Sequence, residues 1–172
     1  MIFVTVGSQK FQFNRLLEKT DQMVKDGIIT EEVFMQTGAS DYVPRHCRYQ
    51  AFYNCDEFSE LMEKSDVVIT HGGTGTIIKS VKMGKKTIVI PRLARYGEHV
   101  DDHQLQLLER FREMNLVFAC PDLSSLPDAL SCIRNHRFSL YQSGTESLIA
   151  SIDDFIYSIQ ALPGSINYET VR

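Results

Sequence analysis

Short apolar runs alternate with amphipathic stretches along most of the chain. The first run, Ile2-Phe3-Val4-Thr5-Val6, is β-branched and unbroken up to Gly7, as expected of a strand buried on both faces and entering a loop. From residue 13 to about 25, Phe13, Leu16, Leu17, Met23 and Val24 follow helical spacing, and Asp26-Gly27 closes the segment. The alternation predicts strands over 33–37 and 49–53, a helix over 56–64, a strand over 67–70, a helix over 74–83 and a strand over 87–90 stopped by Pro91. A helix over 103–113, a strand over 116–119 and helices over 124–133 and 145–159 complete it. Continuous apolar strands separated by helical segments call for a parallel sheet covered on both sides, so the expected fold is α/β: an open, doubly wound, Rossmann-like sheet.

A length of 172 residues suffices for one packed domain, assigned to 1–162, with a mobile tail over 163–172 beginning at Pro163-Gly164. The apolar share of 43% and charged share of 23% place the chain among globular proteins rather than disordered ones. A formal net charge of -4 argues against a protein that neutralises nucleic-acid phosphates, so any anion site must be local. Cys47, Cys55, Cys120 and Cys132 show neither CxxC nor Cys/His ligand spacing and no targeting segment is read ahead of the first strand, so reduced, cytoplasmic thiols are expected. No apolar run approaches the roughly 20 residues that span a bilayer, which leaves peripheral membrane association only.

In such a sheet, ligands bind outside the carboxyl ends of the strands, which directs attention to three loops. After the first strand, Gly7 permits close backbone approach, and Ser8 and Gln9 can donate to a phosphate or sugar oxygen. The second, His71-Gly72-Gly73-Thr74-Gly75-Thr76, joins a strand to a helix. Three glycines and two hydroxyls at a helix N-terminus concentrate backbone N–H donors at the positive end of the helix dipole, which suits a diphosphate. Neither GxGxxG nor a Walker GK[ST] is present. His71 is read as a phosphate or sugar contact rather than a general base. The third loop, 92–104, is long and polar, carrying Arg92, Arg95, Glu98, His99, Asp101, Asp102, His103 and Gln104, a density of donors and acceptors that suits a sugar. The adjacent pairs Glu98-His99 and Asp102-His103 lack the helical spacing of a zinc site, so no metal is expected.

Taken together, FVTVGSQ at the start, MQTG over 35–38, SDVVITHGGTGT over 65–76 and PRLARYGEHVDDHQ over 91–104 resemble the C-terminal domain of glycosyltransferase family 28. The resemblance spans about 2–130 and extends to the single-domain subunits of two-part UDP-sugar transferases, both the eukaryotic dolichol N-acetylglucosaminyltransferase and bacterial exopolysaccharide and capsule counterparts. It implies the donor-binding half of a GT-B architecture, with the acceptor presented by a membrane-anchored partner. Gly7, Ser8, Gln9 and Gln36 would then line the donor cleft, Phe52 and Tyr53 would face the uracil, and His71, Gly72, Gly73, Thr74 and Gly75 would surround the diphosphate. Asp102, His103 and Gln104 take the sugar-contacting positions. Lys79 stands where the bacterial enzyme grips the ribose with glutamate, which passes that role to Glu98.

The implied chemistry is displacement with inversion by an acceptor hydroxyl, the base residing in the partner and no catalytic residue being assigned here. No cofactor and no obligatory metal are implied, because helix dipole and N–H donors can stabilise the leaving diphosphate. A UDP-hexose donor, UDP-galactose by resemblance to capsule members, and a lipid-linked saccharide acceptor at the inner face of the membrane are the expected substrates. The competing expectation is a non-catalytic UDP-sugar-binding accessory subunit. Leu148, Ile149, Ile152, Phe155, Ile156 and Ile159 give the helix over 145–159 an apolar surface fit either for the core or for the partner.

Overall fold

The computed structural model describes residues 1–143, of which Met1–Leu140 form one compact unit. The helix expected over 145–159 and the tail over 163–172 lie outside the described residues. Six parallel strands, β1 (Ile2–Thr5), β2 (Val33–Gln36), β3 (Arg48–Gln50), β4 (Val67–His71), β5 (Lys86–Ile90) and β6 (Phe118–Ala119), lie in the order β3-β2-β1-β4-β5-β6. Among the described residues five α-helices flank them: α1 (Asn14–Lys25), α2 (Cys55–Lys64), α3 (Thr74–Lys82), α4 (His103–Glu113) and α5 (Leu126–Ile133). The doubly wound parallel sheet expected from the alternation is the fold observed.

The two-residue period of a strand divides the core between the faces. Ile2, Val4 and Val6 join Val33, Met35, Val67, Ile69, Ile88 and Ile90 against Leu16, Leu17 and Met23 of α1 and Leu126, Ala129, Leu130 and Ile133 of α5. Phe3 and Val68 point the other way, onto Met62 of α2, with Phe34, Tyr53, Phe58 and Leu61 packed around them. The Phe3 ring meets Phe58 edge-on at 5.2 Å and Tyr53 at 6.1 Å. α2 starts where Asn54 Oδ1 accepts from the N–H groups of Asp56 and Glu57 while Glu57 Oε2 accepts from Asn54 N, a reciprocal cap that fixes where the chain turns helical.

One connection departs from the expected alternation. The crossover between β2 and β3, residues 37–47, contains no helix. The buried Asp21 of α1 takes the place of a packed helix: its Oδ2 accepts from Tyr42 Oη and Arg45 N, each at 2.9 Å, and its Oδ1 accepts from His46 N at 2.8 Å. Burial alone would raise the Asp21 pKa, but the Arg45 and His46 amides and the Tyr42 hydroxyl outweigh it and hold the carboxyl below its ordinary value. β3 itself is Arg48-Tyr49-Gln50, exposed at every position and paired on one side only, so the strand expected over 49–53 is shifted and shortened. Residues 51–53 leave the ladder to enter α2.

Candidate functional site

Strand order reverses between β1 and β4, so the chain leaves these neighbouring strands toward opposite faces and a crevice opens beyond their carboxyl ends. Thr5 is paired with Thr70, and Thr70 Oγ1 donates to Thr5 O at 3.1 Å, which closes the floor of the crevice. Its walls are built from residues without side chains. Gly7 has φ +76°, and a Cβ there would lie 2.5 Å from His71 Cε1. A Cβ on Gly72 would lie 2.8 Å from Gln104 Cβ, and one on Gly73 would fall on the His71 ring, 2.9 Å from Cε1 and closer still to Nε2. Gly38, at φ +57°, would bring its Cβ within 2.9 Å of Gly7 O. His71 is thus wedged between the loops that follow β1 and β4, and glycine is what lets both approach it.

Beyond this wedge α3 begins with Gly73 as its N-cap and no side-chain cap hydrogen bond. Thr74 and Gly75 are exposed, and a Cβ at Gly75 would meet nothing within 4 Å. The first turn therefore presents its N–H groups and the positive end of the helix dipole outward, an arrangement that receives anions.

The His71 ring is neutral. Burial is the main cause, and the nearby Arg92 charge adds to it, taking the pKa down to about 4. Because the Thr70 hydroxyl proton goes to Thr5 O, Thr70 Oγ1, 3.3 Å from His71 Nδ1, is placed to accept, which assigns the ring proton to Nδ1 and leaves a lone pair on Nε2. In this form His71 acts by position, and donation from Nε2 to a phosphate would require protonation. A histidine that is harder to protonate folded than unfolded binds its proton preferentially in the unfolded chain. Its contribution to stability is therefore full above about pH 6.5 and lost as pH falls toward about 4. Urea denaturation is expected to show a loss of about 2 kcal/mol from this group between pH 7 and pH 5. That loss should be missing in His71→Asn, and an equal pH dependence in the variant would refute the assignment.

The loop after β5 is fastened from inside. Arg92 is fully buried; Nη1 donates to Phe11 O at 2.7 Å, Gln12 O at 3.3 Å and Glu98 O at 3.2 Å, and Nη2 donates to Val6 O at 2.6 Å. Its Nε is buried without a hydrogen-bond partner. Burial lowers the guanidinium pKa to about 10, against the pull of Glu98, so Arg92 stays charged at neutral pH. Glu98, also buried, receives Arg15 Nε at 2.6 Å, Arg15 Nη2 at 2.9 Å and Leu93 N at 2.9 Å. Gln104 Oε1 accepts from both Gly72 N, at 3.1 Å, and Arg92 N, at 3.0 Å, tying the loop after β4 to the loop after β5.

The structure brings Gly7, Gln36, His71, Gly72, Gly73 and Gln104 together around the crevice. Gln36 Nε2 donates to Gly7 O at 3.1 Å, and its Oε1 accepts from Tyr53 N at 3.5 Å, which links the crevice to the turn carrying Phe52 and Tyr53. Phe52 is half exposed, whereas the Tyr53 ring belongs to the core around Phe3. Ser8 and Gln9 are exposed on the loop after β1. Asp102 Oδ1 accepts from Ala94 N at 2.8 Å, and His103 stands exposed at the start of α4. In this conformation the Glu98 carboxylate is engaged by Arg15 and Leu93, and Gln104 is internal, so neither carboxylate nor amide oxygen is free for a ribose or sugar hydroxyl. Lys79 donates to Ser59 Oγ at 2.8 Å and lies over the Phe58 ring, bridging α3 to α2. The structural part of Arg92 had one sequence signal, an arginine directly after the Pro91 that ends a buried strand, but residue type alone does not say that it turns inward.

The fold recurs among solved proteins. The solution structure of ALG13 superposes with a TM-score of 0.56 at 19% identity, covering 91% of this chain and 96% of that one. The glycosyltransferase SnogD from Streptomyces nogalater gives a TM-score of 0.51 at 22% identity, with 73% of this chain and 32% of that chain covered. Among curated proteins, the UDP-N-acetylglucosamine transferase subunit ALG13 of Candida glabrata is 35% identical over 83 residues, 48% of this chain and 40% of its own length. The mouse protein of the same name is 25% identical over 126 residues, 69% of this chain and 10% of its own length. The Streptococcus sanguinis UDP-N-acetylglucosamine--N-acetylmuramyl-(pentapeptide) pyrophosphoryl-undecaprenol N-acetylglucosamine transferase is 28% identical over 116 residues, 66% of this chain and 32% of its own length. The chain thus spans less than half the length of these curated relatives. The family match reaches further along the chain than any of them, over residues 1–159, and on that extent the chain belongs to the glycosyltransferase family 28 C-terminal domain family.

Proposed function

We propose that the chain is the donor-binding subunit of an inverting UDP-sugar glycosyltransferase, holding the nucleotide sugar while a membrane-anchored partner presents a lipid-linked saccharide at the cytoplasmic face. The observation that carries this reading is the uncapped N-terminus of α3, opening between glycine-walled loops at the point where strand order reverses. A diphosphate at that position accepts the N–H groups of the first turn, and the same groups stabilise the charge that develops as UDP leaves. No obligatory metal is needed for that step. The acceptor hydroxyl, deprotonated by a base on the partner, attacks the anomeric carbon from the side opposite the leaving diphosphate. The names of the curated relatives support UDP-N-acetylglucosamine as the donor ahead of the UDP-galactose expected from the sequence.

A second reading, a non-catalytic UDP-sugar-binding accessory subunit, is favoured by one observation. Part of the run expected to face the sugar is committed to the fold, with Gln104 Oε1 on Gly72 and Arg92 and Asp102 Oδ1 on Ala94. Calorimetric titration of the chain, alone and co-purified with its partner, against UDP, UDP-N-acetylglucosamine, UDP-galactose and ADP separates the two. Preference for uridine over adenine nucleotides together with tighter binding of one UDP-sugar than of UDP supports the donor subunit. Equal affinity for UDP and every UDP-sugar supports the accessory role. No uridine nucleotide binding in either preparation overturns both.

A further inference from the structure

The loop after β5 holds a constellation of which the donor reading uses only His103, in the run expected to face the sugar, and leaves His99 and Asp101 without a role. One ligand atom from each of His99, Asp101 and His103 lies within 4.8 Å of the other two. Asp101 Oδ1 is 3.2 Å from His99 Nδ1 and in direct contact with His103 Nδ1. Expecting no metal from the adjacent pairs Glu98-His99 and Asp102-His103 passes over the spacing of four between the two histidines, which the turn into α4 folds onto one side with Asp101 between them.

The three groups are partly preorganised. His99 has only 8% of its side chain exposed; its ring packs on Phe11 at 5.3 Å and meets His103 edge-on at 4.7 Å. Asp101 N donates to His99 Nδ1 at 3.4 Å, a long contact that an ion bound at that nitrogen would replace. His103 N donates to Asp101 Oδ1 at 3.1 Å, drawing the carboxylate toward the first turn of α4. Two imidazoles and one carboxylate match the ligand preference of zinc and its neighbours, whereas magnesium and calcium favour all-oxygen sets. Bonds of about 2.0–2.2 Å in a tetrahedral site bring ligand atoms to about 3.4 Å from one another, within reach of the exposed Asp101 and His103 side chains by movements of about 1 Å.

We propose that His99 Nδ1, Asp101 Oδ1 and His103 Nδ1 form a binding site for a borderline divalent transition-metal ion such as zinc, with a remaining coordination position open to solvent. The ligands belong to the loop after β5, not to the α3 N-terminus, and ion binding is read without any nucleotide, so its failure is distinguishable from failure of the donor reading even though His103 is common to both. An ion there cross-links the two sides of the turn whose Asp102 and Gln104 hold the backbone at Ala94 and Gly72, and so fixes the loop.

The test is metal titration of the purified full chain, with zinc measured by competition against a chromophoric chelator and cobalt(II) by its visible d–d absorption. One equivalent of zinc and a cobalt spectrum of tetrahedral or five-coordinate intensity are expected. Affinity should fall at least about 100-fold in His103→Asn and in Asp101→Asn, a loss beyond the 10–100-fold that removing an outer partner of a metal ligand costs. Both side chains are exposed, so these variants leave the fold intact, and His46→Gln, at an exposed histidine elsewhere, should bind as the parent does. No uptake, or zinc affinity unchanged in both ligand variants, as would follow from binding to the exposed thiols of Cys55 and Cys132, overturns the proposal.

Discussion

Gly75→Asp is expected to abolish measurable UDP binding while leaving the fold as stable as the parent or slightly more so. The two effects separate because of where Gly75 lies. It is exposed in the first turn of α3, and a Cβ there meets no atom within 4 Å, so the aspartate has room. Replacing a helical glycine by aspartate gains only about 0.3 kcal/mol of propensity, and a carboxylate near a helix N-terminus adds about 0.3–1 kcal/mol. That carboxylate also occupies the position we propose for the diphosphate. Two unit charges about 4 Å apart repel by about 4 kcal/mol at the effective dielectric of a protein surface, so a loss of at least about 100-fold in UDP affinity is expected after screening. Calorimetry and urea denaturation of the same preparation check both halves. Undiminished UDP binding in a well-folded variant would move the diphosphate away from α3. Gly73 could not serve here, because a side chain at that position displaces His71 and confuses loss of fold with loss of binding.

Arg92→Ala is expected to cost about 4 kcal/mol of folding stability, the largest single loss for any described side chain outside the apolar core. The guanidinium donates to the carbonyls of Val6, Phe11, Gln12 and Glu98, and so joins the end of β1, the approach to α1 and the loop after β5. Each charge-assisted bond contributes about 1.5–3 kcal/mol gross of compensating losses, and removing the donor leaves buried carbonyls without a partner. For a domain of this size a loss of about 4 kcal/mol lowers the melting temperature by more than about 10 °C. Arg92→Met, which refills the space without the donors, should recover only the cavity part. A chemical-denaturation difference below about 1 kcal/mol for the alanine variant would show that the four carbonyls find other partners.

How much of this was legible in the sequence depended on whether a residue's role is set locally. β1, β4 and β5 are short runs dominated by Val, Ile and Thr and buried at nearly every position, the pattern of a strand covered on both faces. α4 begins at His103 and ends at Glu113, as its spacing and the polar loop before it require. β3 was misplaced because Arg48-Tyr49-Gln50 has no face to bury; it is a strand only because β2 offers an edge. The crossover over 37–47 lacked any sign that Asp21, one helix earlier, would hold it. In the site, Gly7 was readable as a close-approach position, whereas Gly72 and Gly73 were read as part of a donor set for an anion and their crowding against Gln104 and His71 was not. Glu98 and Gln104 were not readable as internal ties. A carboxylate and an amide in a polar loop look alike whether they face a ligand or the backbone beneath them, and only Arg15, Leu93, Gly72 and Arg92, brought up by the fold, decide between the two.

The burial of Arg92 also bears on ionic strength. At physiological salt the screening length is about 8 Å, and mobile ions quench the attraction between an exposed lysine and a passing phosphate within that distance. Arg92 is sealed beneath the loop after β1, close enough to His71 to depress its proton affinity, and salt cannot gather around it. Its charge acts on His71 through protein rather than through electrolyte. In an acidic chain of net charge -4, one positive charge beside the glycine-walled loops is thus screened less by added salt than the charge of an exposed lysine.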